Sequence, residues 1–129
     1  MPKLAHDEIL RSEEILRVIR IGVSLGISKV RLTGGEPLMR AGVYEFLKEL
    51  SSVDGLSDIS LTTNGVMLLE NIEKIEAAGI KRINISLDTL NREKFKYITG
   101  YDRFDQVWAG IEKAYAHGFD PIKLNVVAL

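Results

Sequence analysis

The residues of this 129-residue chain best placed to do chemistry cluster where an alternating apolar run meets a glycine turn, Val30-Arg31-Leu32-Thr33-Gly34-Gly35-Glu36-Pro37. Two adjacent glycines can take φ > 0 and let another molecule approach the backbone. Pro37 ends the strand ladder and biases Glu36 toward an extended conformation. Gly35 N–H suits a carboxylate, and neighbouring carbonyls suit an amine. Two roles are open to Glu36: pairing with an ammonium, or turning away to fix the loop. Arg31, inside the strand, is costly unless it meets an anion, and its guanidinium matches phosphate geometry. A carboxylate partner such as Asp88 is the alternative. Lys123 carries the same argument in the last apolar run, and Lys29 carries it more weakly. Thr62 and Ser86 offer hydroxyls to a ribose or phosphate, or to nearby backbone. Asn64 ends a similar run at a second turn, Thr63-Asn64-Gly65. Asp88 is a general base or a helix cap.

These residues need strands and helices to bring them together. Apolar spacing predicts helices over 12–25, 43–51, 69–78, 89–97 and 105–117, and strands over 29–33, 58–62, 82–87 and 122–129. Ser12 is the expected cap of the first helix, Asp88 or Thr89 of the fourth, and Asp105 of the last. Gly26, Gly79 and Gly118 are the expected stops. Alternating strands and helices mean βα units and a parallel sheet. Along every strand one face is apolar and the other polar. Val30 and Leu32 oppose Lys29, Arg31 and Thr33. Ile59 and Leu61 oppose Ser60, Thr62 and Asn64. Ile83, Ile85 and Leu87 oppose Asn84, Ser86 and Asp88, and Ile122, Leu124 and Val126 oppose Lys123 and Asn125.

The expected fold is therefore α/β: a parallel β-sheet with helices on its convex face, a partial TIM-like (βα) barrel of about four strands, forming a single partial barrel domain over residues 1–129. A closed barrel fills its interior with branched apolar side chains. This one would carry cations, hydroxyls and amides there, which suits a wet interior and an anionic polar ligand. The alternative is a flat sheet with one solvent-exposed face. Four strands do not close a barrel, which usually needs about 250 residues. The open edges are expected to be covered by a second copy or by further segments.

Composition narrows the function classes. Net charge is −1, so no long-range field steers the chain to nucleic acid or a membrane surface. No apolar run spans a bilayer and no signal peptide is evident, making the cytoplasm the default compartment. There is no cysteine, hence no disulfide, thiolate metal site or cysteine nucleophile within the chain. His6 and His117 read as partly exposed helix residues, and no catalytic triad, Walker loop or G-x-G-x-x-G occurs.

RLTGGEPLMR at 31–40 resembles the second signature of radical S-adenosylmethionine enzymes. With LTTNG at 61–65, INISLD at 83–88, ITG at 98–100 and KLNVV at 123–127, it is similar in order and separation to the GTP 3′,8-cyclase family of molybdenum cofactor biosynthesis. The resemblance implies that Gly35 and Gly34 contact the methionyl part of S-adenosylmethionine, with Ser86 on the same cofactor. It implies that Arg31, Thr62 and Lys123 bind GTP, with Lys29 a weaker candidate, while Glu36, Asn64 and Asp88 stay possible site residues from their places at the strand ends. The family reaction begins with reductive cleavage of S-adenosylmethionine at a 4Fe-4S cluster fed by an electron donor. The 5′-deoxyadenosyl radical takes hydrogen from the ribose C3′ of GTP, C3′ attacks C8, and (8S)-3′,8-cyclo-7,8-dihydroguanosine 5′-triphosphate results.

The family's C-x-x-x-C-x-x-C motif is missing, so no cluster and no turnover are expected of this chain. Its C-terminal part, with a second cluster and arginines for GTP, is missing too. The family often reads Met-Pro just after its last motif cysteine, and this chain begins Met1-Pro2. It is therefore expected to be truncated at both ends. Ala41-Gly42 departs from the family's usual Arg-Asp. A catalytically inactive half-barrel that binds nucleotide or S-adenosylmethionine is the alternative function, and an aldolase-like piece without a retained site is a third.

Overall fold

The computed structural model describes residues 11–127. Helix α1 (Ser12–Ser24) precedes β1 (Lys29–Leu32), a 3₁₀ turn (Pro37–Met39) and α2 (Val43–Ser51). Then come β2 (Asp58–Thr63), α3 (Leu68–Ala77), β3 (Arg82–Ser86), α4 (Arg92–Thr99), α5 (Phe104–Ala116) and β4 (Ile122–Asn125). The strands form one open parallel sheet in the order β1-β2-β3-β4. A parallel sheet in sequence order is what consecutive right-handed βα crossovers build, and such crossovers stack their helices on one side.

The apolar faces predicted by alternation are the helix-facing ones. Leu61, Ile83 and Ile85 are fully buried with Leu47 from α2, Ile72 and Ile75 from α3, and Val107 from α5. A second cluster joins Leu16 of α1 to Phe46 and Leu50 of α2, with Val30 and Leu32 packed against it. Arg31, Ser86 and Lys123 are exposed on the opposite face. The basic side chains of the first and last strands thus do not point beneath the helices. The sheet is an unclosed part of a barrel.

Several local expectations are corrected. Ser12 is the first helical residue of α1, not its cap; Arg11 holds the cap position and makes no side-chain capping bond. Neither Asp88 nor Thr89 caps α4. Asn91 does, its Oδ1 accepting from Lys94 N–H at 2.9 Å, and the helix runs two residues further than expected, to Thr99. Asn91 directly precedes the helix with the extended backbone a cap needs, whereas Thr89 and Asp88 lie two and three positions before Asn91. Asp105 lies in the first turn of α5, behind Arg103 at the cap position, where it ion-pairs with Arg92 at 3.2 Å. β2 extends to Thr63, one residue past expectation, while β1 and β3 each stop one residue short, at Leu32 and Ser86. β4 ends at Asn125 instead of running to 129. Residues 128–129 of that expected strand lie outside the described residues, as do His6 and the Met1-Pro2 start. Gly26, Gly79 and Gly118 follow their helices with φ of 102°, 89° and 84°, as expected of helix stops.

Candidate functional site

The ends of the parallel strands converge on one edge of the sheet, where sites in such folds form. At the end of β1, Gly34 has a φ of 125°, and a Cβ added at Gly34 or Gly35 would meet nothing within 4 Å. The glycine backbone is therefore open to a ligand. That openness fits the close approach an amino-acid moiety such as the methionyl group requires.

The polar face is organised in rows by strand register. Arg31 lies beside Ser60, which lies beside Arg82. Thr62 lies beside Asn84, which lies beside Lys123, and Ser86 lies beside Asn125. Arg82 is neutralised by Asp58, Nη1 to Oδ2 at 2.5 Å. Arg31 and Lys123 form no ion pair among the described residues. The pairing of Arg31 with Asp88 does not occur: Asp88 Oδ1 instead accepts the N–H of Val127 at 2.9 Å and ties down the chain beyond β4. Thr62 Oγ1 is buried with no hydrogen-bond partner. A buried hydroxyl left unpaired costs stability, and a ligand can satisfy it. Lys29 is exposed at the far, N-terminal end of β1, so it lies furthest from the glycine turn.

Glu36 turns its carboxylate toward β2. Oε1 accepts from Thr63 Oγ1 at 2.6 Å, and Oε2 accepts from Asn64 N–H at 2.8 Å. Oε1 also accepts from Leu38 N–H at 3.3 Å, which caps the 3₁₀ turn. Asn64 Oδ1 accepts from Val66 N–H at 3.0 Å and shapes the turn after β2. Tyr44 stands close enough for the Glu36 charge to act on it. Burial first, and that charge second, push its hydroxyl above the usual phenol range.

Thr63 escaped attention in the sequence because it sits on the apolar side of β2, in phase with Ile59 and Leu61. A hydroxyl where an aliphatic residue is due was the available signal. His117 caps the end of α5, its Nδ1 2.8 Å from Glu76 Oε2 on α3, away from the strand ends. For a 4Fe-4S cluster the residues do not fit: the chain has no thiol. Among the described residues no group of three or more acidic, histidine or cysteine side chains is placed to hold a metal. Among them, too, no helix is long and apolar enough to cross a membrane.

The sequence is similar to those of known proteins. The GTP 3′,8-cyclase of Peptoclostridium acidaminophilum is 50% identical over 129 residues, covering all of this chain and 40% of that protein. That of Thermodesulfovibrio yellowstonii is 48% identical over 126 residues, 98% of this chain and 39% of that protein. That of Gloeobacter violaceus is 49% identical over 127 residues, again 98% and 39%. The chain thus spans about two fifths of the length of the curated relatives it matches. The profile of the Radical SAM superfamily matches residues 3–129. Because that match runs almost end to end over a sheet of successive βα units, the chain belongs to the radical SAM superfamily.

Proposed function

We propose that this chain contributes the S-adenosylmethionine- and GTP-facing wall of a GTP 3′,8-cyclase in molybdenum cofactor biosynthesis, acting in the cytoplasm. Gly34 and Gly35 hold the methionyl end of S-adenosylmethionine through their backbone, with Ser86 on the same cofactor. Arg31, Thr62 and Lys123 take GTP, the cations on its phosphates and the hydroxyl on a polar oxygen. S-adenosylmethionine held here would supply radical chemistry only beside a reduced 4Fe-4S cluster held by other residues, which would give the one electron that splits it into methionine and a 5′-deoxyadenosyl radical. The observation that carries this reading is the polar face of the sheet, on which, among the described residues, Arg31 and Lys123 make no ion pair and the buried Thr62 hydroxyl has no hydrogen-bond partner. Lys29, Asn64 and Asp88 are further candidates in this reading.

The thiolates for a cluster must come from outside this sequence, which has no cysteine. Alone, the chain is a binding half-barrel without turnover, a second reading favoured by its lack of cysteine. The two outer strands leave edges that a second copy can pair.

Calorimetry on the purified chain tests the reading. GTP and S-adenosylmethionine should each bind. Arg31→Ala should weaken GTP by about tenfold or more, the value of a charge-assisted hydrogen bond, and leave S-adenosylmethionine unchanged. Absence of heat with both ligands, or an equal loss for both in the variant, would overturn it.

A further inference from the structure

One carboxylate joins two turns that are far apart in sequence. Glu36 follows the glycine pair directly, and Thr63 and Asn64 end β2, 27 and 28 residues later. Thr63 Oγ1 lies 2.6 and 2.9 Å from the two carboxylate oxygens. The same Oγ1 accepts the N–H of Gly65 at 3.1 Å, so its proton is free to go to Glu36. Thr63 is only 2% exposed, which shields the contact from water. Glu36 makes no ion pair among the described residues; hydroxyl and amide donors alone hold it.

A Gly-Gly pair is otherwise the most freely moving piece of backbone a chain can have. Ordering it at the moment of binding would weaken any ligand it holds. We propose that Glu36 is a positioning residue: it clamps the Gly34–Gly35 turn to the Thr63–Gly65 turn, making the two strand ends one rigid rim that presents the glycine backbone in a single conformation. Glu36 acts through that rim and does not itself touch the ligand. A ligand at Gly35 is consequently felt at Asn64. The ligand part of this inference rests on the proposed assignment of S-adenosylmethionine to the glycine turn; the clamp itself does not.

Amide NMR on the isotope-labelled chain separates the two. In the wild type the Asn64 amide should exchange slowly, and Glu36→Ala should speed it by about tenfold or more, since an amide loses its charged acceptor. Titration with S-adenosylmethionine should shift Gly34, Gly35 and Asn64 together. In Glu36→Ala the glycine shifts should need about tenfold more ligand, as expected when a preordered loop is released, and Asn64 should stay silent. GTP titration should be unchanged, a split that general loss of structure would not produce. Glu36→Gln should fall between the two. Thr63→Val should cause a smaller loss alone and none on top of Glu36→Ala. If Glu36→Ala does not fold, the glutamine and valine variants carry the same comparisons. Unaltered Asn64 exchange, or equal weakening of both ligands, would overturn the clamp. Should the wild type show no shift with S-adenosylmethionine, the cofactor assignment fails, and the exchange rates alone decide whether Glu36 holds the rim.

Discussion

Thr62 and Thr63 are adjacent and chemically identical, yet the sheet gives them opposite work. Thr63 points toward the helices and holds Glu36; Thr62 points to the polar face and holds nothing. Thr62→Val should therefore leave stability unchanged or raise it by up to about 1 kcal/mol, because it removes an unpaired buried hydroxyl. The same change should weaken GTP, and thermal unfolding with and without the nucleotide reads both effects. Tyr44 supplies a pH test. Its hydroxyl is buried without a partner and titrates above the ordinary 10.0. A raised folded value means the folded state holds the proton more tightly. The resulting stabilisation is complete below the ordinary phenol value and disappears as pH rises through the raised one. Tyr44→Phe should flatten that alkaline component of the stability profile, measured by denaturant unfolding across the range. At this scale Arg31, Lys123 and the glycine pair were legible in the sequence, because an unmatched charge in a strand and adjacent glycines are anomalies of residue type. Thr63 was not, since nothing local distinguishes a threonine that clamps a carboxylate from one that fills a core.

Among the elements, the α3–α5 contact governs how closely the helices sit on the sheet. Gly110 makes it possible: an added Cβ would lie 2.9 Å from Leu68 Cβ and 3.1 Å from Leu69 N. Gly110→Ala should destabilise the protein by about 1–3 kcal/mol through overpacking, outweighing a helix-propensity gain of about 1 kcal/mol. Calorimetric melting checks the sign, which propensity alone would reverse. Lys113 reinforces the same contact, donating to Leu69 O at 3.0 Å and to Glu73 at 2.7 Å. That bond holds the Glu73 carboxyl below its ordinary range. The cap of α4 is a separate test: Asn91→Ala should cost about 1 kcal/mol and fray Arg92–Thr99 first, as amide exchange would register. Element types were legible from apolar spacing, and most boundaries fell within a residue or two, while α4 starts three residues later than expected and β4 ends at Asn125. The caps were misplaced because several residues near each helix start could serve. At α4 the position goes to Asn91, which directly precedes the helix in extended backbone.

Among the described residues the molecule is built on an open sheet whose two edges are unpaired. β4 shows the consequence. Leu124 belongs to the apolar set of its strand but is 44% exposed, because no described element packs over it. On the other side, Val18, Ile21 and Leu25 form an exposed apolar stripe on α1. Edges of this kind pair with other strands. The purified chain should associate as concentration rises, visible in sedimentation velocity, and Leu124→Lys should shift it toward monomer. Anaerobic reconstitution with iron and sulfide should leave the chain without stoichiometric iron, by metal analysis, since it offers no thiolate.

From the sequence alone came the parallel α/β class, the succession of elements and the division of each strand into an oily and a polar side. Those follow from side-chain periodicity along a pleated backbone, which is a local property. Tertiary structure alone decided that Glu36 reaches Thr63 and Asn64, that Asp88 secures the backbone beyond β4, and that Leu124 stays in water. Each of these depends on which strand lies beside which and on where the sheet ends, and such facts arise only when distant segments pack.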